Sequence, residues 1–238
     1  MYFTGMITTI RSCINDFSHL FFPHNCLGCS SDAIEHRQIL CAKCFTQLPE
    51  TGFFQHADNK TEKIFYGRIA LQQAGSMYYF TKDSLIQKLI FELKYRGNKT
   101  AGSLLGSITG QAIKKSMRFE NVDLVIPLPL NPAKEKKRGY NQAAIIAESI
   151  ASEIQKPLLV DAAYRTVFTQ TQTHKGRISR WQNMEGVFAV KDLSAVTGKH
   201  ILLVDDVLTT GATLESCARC LIQVPGTQIS IATVAYTI

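Results

Sequence analysis

Residues 199–224, KHILLVDDVLTTGATLESCARCLIQV, constrain the fold more tightly than any other stretch of the chain. The aliphatic run Ile201 to Val204 leads straight into two adjacent carboxylates, Asp205 and Asp206. Thr209, Thr210, Gly211, Ala212 and Thr213 follow, then a helical segment over 214–224 that Pro225 and Gly226 stop. A continuous apolar run bounded by turn residues predicts a strand buried on both faces. Such a strand needs parallel neighbours beside it and helices above and below.

The chain supplies both. Strands are expected at 74–81, 122–130, 199–207 and 228–238, and helices at 83–95, 102–117, 141–154 and 214–224. Leu85, Ile86, Leu89, Ile90 and Leu93 recur at helical spacing, and GSLLGSITGQAIKKSM continues as helix although its glycines weaken the pattern. Alternating strands and helices imply an α/β fold, a mostly parallel sheet flanked by helices. With 238 residues there is room for such a domain over 65–238 and a small module over residues 1–60. ETGFFQHADNKTEK (50–63) has linker-like polarity and no periodicity.

The first region carries its own signal. Cys26 and Cys29 form one C-x-x-C and Cys41 and Cys44 a second, with eleven residues between the pairs. Thiolates two residues apart on a tight turn grip one tetrahedral ion, and two such turns close a zinc site. Four protein ligands leave no open position, so a structural zinc-ribbon-like module is expected; His24 and His36 lie nearby as substitute ligands that a full thiolate set makes unnecessary. Two unrelated thiol pairs or a redox pair are the bland alternative. Cys217 and Cys220 share the same spacing inside a helix, with nothing near to complete a site, and read as packed thiols; Cys13 has no assignment.

The acid pair admits three readings. As magnesium ligands of a nucleotide triphosphatase, Asp205 and Asp206 would need an upstream G-x-x-x-x-G-K-[ST] loop, and the chain has none. As helix caps, one side chain would suffice. As a phosphosugar site, two carboxylates beyond a strand's carboxyl end accept hydrogen bonds from vicinal ribose hydroxyls and help organise Mg2+. The turn 209–213 then offers amides, hydroxyls and a helix dipole to a phosphate monoester, with Gly211 allowing close approach.

Net charge is +7 and the pI near 9.0, which favours phosphorylated or polyanionic partners. Lys134, Lys136, Lys137 and Arg138 place four cations in five residues of the loop after the 122–130 strand. They suit pyrophosphate or a nucleic-acid backbone, with Tyr140 as a base-stacking ring, or they form a solvated loop. Asn141 is the expected cap of the next helix. Arg11 and Asp16 interrupt the apolar N-terminus, so neither a membrane span nor a signal peptide is read there, and a cytoplasmic location is expected. No base-reading motif stands out. Lone His174 and Trp181 in the polar stretch 164–188 read as a bystander and a packing residue.

ILLVDDVLTTGAT closely resembles the phosphoribosyl pyrophosphate (PRPP) signature of type I phosphoribosyltransferases. LKYRGNK, VIPLPL, KRGYNQA and the N-terminal cysteine pairs extend the resemblance to the ComF family, whose usual RGFNQ is RGYNQ here. The resemblance implies a type I phosphoribosyltransferase fold behind a zinc-ribbon-like module. It implies PRPP binding with Mg2+, Asp205 and Asp206 on the ribose and Thr209 to Thr213 on the 5'-phosphate. It places pyrophosphate at the backbone near Leu128 to Leu130. Arg165, Thr166, Gln170, Arg177, Arg180 and Asn183 match the family's mobile loop, so Arg165, Arg177 and Arg180 become catalytic candidates for stabilising departing pyrophosphate. The implied role is DNA uptake in natural transformation, with single-stranded DNA and competence DNA-translocation proteins as partners. The other implied role is pentosyl transfer to an unidentified acceptor.

Overall fold

The structure is a computed structural model that describes residues 25–32, 34, 38–166 and 187–238. His24, His36, Gln170, His174, Arg177, Arg180, Trp181, Asn183 and Cys13 lie outside the described residues. Internal contacts divide the chain into two units, Met1–Leu48 and Pro49–Ile238.

In the first unit the two C-x-x-C turns are followed by a short helix, α1 (Ala42–Thr46). Ile39, Leu40 and Leu48 are its buried aliphatics, beside the buried Cys26 and Cys44.

The second unit is built on a four-stranded sheet, β1 (Ala74–Phe80), β2 (Leu124–Pro127), β5 (His200–Leu208) and β6 (Gln228–Thr237). Every neighbouring pair is parallel, in the order β1-β6-β5-β2. The helices are α2 (Lys60–Phe65), α3 (Leu85–Tyr95), α4 (Lys99–Lys115), α5 (Pro132–Arg138), α6 (Gln142–Ile154) and α7 (Ala212–Ile222). An antiparallel pair, β3 (Ala163–Arg165) and β4 (Phe188–Val190), packs against α7. This is the type I phosphoribosyltransferase architecture expected from the sequence, a parallel sheet between helical layers.

Strand pleating sorts the two faces. Leu124, Ile126, Ile201, Leu203, Ile229 and Ile231 share one face and form a core with Leu214, Cys217, Ala218 and Leu221 of α7. Val125, Leu202 and Val204 point to the other face, which α4 and α6 cover. After α6, Leu158 bridges Val125 in parallel on the outer side of β2. After α7 the chain enters β6, on the other side of β5. The connections from β2 and β5 therefore leave in opposite directions, and a crevice opens between their carboxyl ends.

The helix expected over 102–117 forms as α4, and the glycines that weaken its pattern are its contact surface. A Cβ on Gly106 would lie 2.6 Å from Ile146 O, and one on Gly110 3.0 Å from Ile150 Cα. Glycine at i, i+4 and i+8 (Gly102, Gly106, Gly110) lets α4 approach α6 and α3 more closely than side chains permit. Two expectations change. Residues 50–63 are packed rather than linker-like. Phe53 and Phe54 are buried, and the Asn59 amide donates to Phe53 O, His56 O and Ala74 O at 2.8–3.0 Å while its oxygen caps α2. The basic loop is the helix α5. Asn131 caps it, Pro132 starts it and Gly139 ends it in a left-handed conformation at φ 83°. Its exposed residues carry no apolar stripe, so periodicity gives no sign of it.

Candidate functional site

The four Sγ atoms of Cys26, Cys29, Cys41 and Cys44 lie within 4.8 Å of one another. Tetrahedral thiolates at about 2.3 Å from zinc are about 3.8 Å apart. Cys29 and Cys41 stand at 3.7 Å. The amides of Gly28 and Cys41 donate to Cys26 Sγ at 3.4 and 3.2 Å, which favours a thiolate there. Burial alone would raise the Cys26 thiol, but the Cys41, Cys29 and Gly28 amides outweigh it and bring the pKa down to about 6. Burial and neighbouring thiols push Cys44 up to about 12. A cluster with one ready thiolate and one reluctant thiol suits a divalent cation, which would hold all four as thiolates. The donor set fits structural zinc.

In the second unit, adjacency in sequence separates Asp205 and Asp206 in space. Asp205 has the parity of Ile201 and Leu203, and pairs with Thr233 of β6 on the α7 side. Asp206 has the parity of Leu202 and Val204. There Lys94 of α3 donates to Asp206 Oδ1 at 2.8 Å. The Asp206 side chain is only 5% exposed, and its Oδ2 is buried with no hydrogen-bond partner. An unpaired carboxylate oxygen in a protein interior is costly, so it marks a position waiting for a donor or a cation. Asp205 Oδ1 accepts the Asp206 amide at 2.8 Å. Burial, and then repulsion from Asp206, push the Asp205 carboxyl up to about 8 despite Lys94.

Beyond the strand, Gly211 turns the chain at φ 73° into α7. A Cβ at Gly211 would lie 2.9 Å from both Ile64 and Phe65, so α2 braces the turn from behind. Arg68 ties it further, donating to Thr210 O at 2.9 Å and pairing with Glu215. Thr209, Thr210, Ala212 and Thr213 are exposed at the start of α7. The N-cap residue Gly211 has no side chain to cap α7; the Ala212 amide donates to Thr210 Oγ1 at 3.4 Å.

The 128–131 segment borders the same crevice. The Leu128 amide donates to Val204 O at 2.7 Å, so it is consumed by the sheet. Pro129 has no amide to give, which leaves Leu130 to supply a backbone donor there. Lys134, Lys136 and Lys137 are exposed on α5. Arg138 pairs with Gln142 and its guanidinium stands 5.6 Å from the Tyr95 ring centroid. The Tyr140 hydroxyl donates to Leu93 O, next to Lys94, and Lys99 Nζ stands 5.2 Å from the Tyr140 ring. Asn141 caps α6 through the Ala143 amide, as expected. Arg165 ends β3, with its guanidinium 5.6 Å from Phe188.

Lys94, Arg68 and the brace from α2 escape the sequence reading. Lys94 lies within LKYRGNK, but nothing local shows that its partner is 112 residues away. Cys217 and Cys220 are packed thiols. Cys217 is fully buried, which raises its pKa, and Cys220 Sγ donates to Phe188 O at 3.4 Å. Among the described residues no helix is long and apolar enough to cross a membrane.

Comparison with known proteins agrees with this geometry. Residues 139–237 match the family described as phosphoribosyl transferase domain. Competence protein F of Haemophilus influenzae is 25% identical over 213 residues, covering 84% of this chain and 92% of that protein. Competence protein ComFC of Bacillus subtilis is 31% identical over 155 residues, 65% of this chain and 60% of the relative. DNA utilization protein YhgH of Shigella flexneri is 26% identical over 141 residues, 58% of this chain and 61% of the relative. A phosphoribosyltransferase-type sheet ending in paired acids and a four-cysteine cluster accompany these matches: the chain carries a phosphoribosyl transferase domain and is similar to ComF-type competence proteins.

Proposed function

We propose that this chain binds PRPP with Mg2+ in the crevice between β2 and β5, and serves DNA uptake by handling single-stranded DNA. The relatives named for competence and DNA utilization support the role in DNA uptake. The unpaired Asp206 Oδ2, buried beside Lys94 at the head of a phosphate-ready turn, carries the ligand reading. Asp205 and Asp206 accept hydrogen bonds from the ribose 2'- and 3'-hydroxyls. The first amides of α7 and the hydroxyls of Thr209, Thr210 and Thr213 hold the 5'-phosphate. The Leu130 amide and the cations of α5 face the pyrophosphate. Lys94 holds Asp206 oriented and supplies a nearby positive charge. The site's hard carboxylate oxygens fit Mg2+, which neutralises diphosphate charge when bound. A zinc-ribbon-like module within 1–60 and a phosphoribosyltransferase domain containing 65–238 belong to the same reading, with the contact boundary between Leu48 and Pro49.

Asp205→Asn combined with Asp206→Asn tests the site. Calorimetry with Mg-PRPP should show at least a 100-fold weaker affinity, since each ribose hydroxyl loses a carboxyl acceptor, one of them paired with Lys94. Unchanged affinity would remove the site assignment.

A second reading is an active transferase, favoured by the survival of both carboxylates in full. The C1'–oxygen bond to pyrophosphate breaks, and pyrophosphate leaves with the electron pair. A bond from C1' to an acceptor nitrogen or oxygen forms as the acceptor loses a proton. Arg165, Arg177 and Arg180 are the candidates to stabilise the departing charge. Pyrophosphate release from PRPP, measured against bases, amines and single-stranded DNA, decides between binding and turnover.

A further inference from the structure

The last turns of α3 have two sides. Leu93 is buried and Lys94 reaches inward to Asp206. On the outer side Phe91 and Tyr95 are 47% and 66% exposed, far more than rings of that size need to be. Their centroids lie 5.0 Å apart with the planes tilted by 44°, one helical turn from each other. Arg138, at the end of α5, stacks on Tyr95 at 5.6 Å. Lys88 lies on the same helical face, three residues before Phe91, and is exposed. Arg96 and Lys99 follow Tyr95 and are exposed, as are Lys134, Lys136 and Lys137 along α5. Glu92 and Glu135 are the acids interspersed among them.

We propose that Phe91 and Tyr95, flanked by Lys88, Arg96, Lys99 and the cations of α5, form the contact surface for a single-stranded nucleic acid. The proposal rests on the DNA-handling reading above and assigns it a place on the molecule. Three physical arguments select this occupant. Exposed rings offer faces on which unpaired bases stack, and stacking tolerates any sequence. A duplex keeps its base faces inside, so it would meet the cations and leave the rings idle. Protein interfaces are depleted of lysine, whereas Lys88, Lys99 and the α5 lysines are exposed near the two rings. The surface also adjoins the crevice. Tyr140 links α5's end to Leu93 O, one residue from the lysine that holds Asp206. A strand lying on the rings would therefore pass within a helix width of the PRPP site.

The test uses the full chain and a fluorescein-labelled thymidine oligonucleotide of about 20 nucleotides, read by anisotropy at low salt. Phe91→Ala with Tyr95→Ala should weaken binding by roughly 30-fold or more, at about tenfold or somewhat less per lost stack. Lys136→Ala with Lys137→Ala should flatten the dependence of log affinity on log salt by about one unit or slightly more. Both ring variants remove exposed side chains, so their thermal midpoints should stay near that of the parent, and Mg-PRPP affinity should be unchanged. Parental oligonucleotide affinity in the ring double variant overturns the surface while leaving DNA handling intact. Displacement of the oligonucleotide by poly-glutamate and by duplex DNA as readily as by unlabelled single strand also overturns it, because charge alone would then explain binding. If the parent binds no oligonucleotide at low salt, the DNA-handling reading fails, and the surface with it.

Discussion

The two units of this chain stay folded for different reasons. Among the described residues, 25–48 bury Ile39, Leu40 and Leu48 beside the four-thiol cluster, a small core by itself. Residues 49–238 bury a continuous aliphatic core on each face of a parallel sheet. A metal held by the four thiols would concentrate the first unit's stability in one coordination event, whereas the second spreads its stability over many contacts. One should therefore fail abruptly when a single component is withdrawn, and the other by degrees.

Withdrawing the metal is the sharpest way to break that comparison. Structural zinc contributes about 10–16 kcal/mol in small zinc-folded peptides at neutral pH. Chelation, or Cys26→Ser, should release one zinc per chain in a colorimetric assay. Hydrogen exchange should then lose protection over 38–48, while β5 and β6 keep theirs. Loss of protection in the sheet at the same time would show that the two units are not energetically separate.

The next effect lies inside the second unit. Asp205 titrates near 8 in the fold against an ordinary value of 3.8, so the folded chain keeps a proton that the unfolded chain has lost. Its contribution to stability is greatest below about pH 4 and declines as pH rises to about 8, by at most about 1.4 kcal/mol per pH unit. Asp205→Asn should remove that slope from urea unfolding measured at several pH values. A variant that keeps the parental slope would move the origin of the effect to another group.

The smallest effect probes close packing. Gly106→Ala places a Cβ against Ile146 O and should cost about 1–3 kcal/mol by urea unfolding, although alanine is the better helix former. A neutral result would mean that α4 and α6 can part without loss.

These contrasts also explain what the sequence discloses. β5 and its turn are legible because burial, charge and turn chemistry fall within thirteen consecutive residues. The four-cysteine cluster is legible because ligand spacing is local. What stays hidden is non-local. Lys94 cannot be matched to Asp206 by inspection. The glycines of α4 read as weakness until α6 lies against them. Residues 50–63 read as a linker because one amide, Asn59, gathers three carbonyls to hold them, and a single side chain leaves no periodic trace. α5 hides because an exposed seven-residue helix has no apolar rhythm.

Asp205 and Asp206 are neighbours in the chain but belong to opposite sides of the sheet. One lies among the surroundings of α7, the other in the grip of α3. Any ligand that engages both carboxylates spans the sheet's edge like a rivet through two plates. Its arrival is felt in both helical layers at once, and a change at either acid should be read out in a different layer.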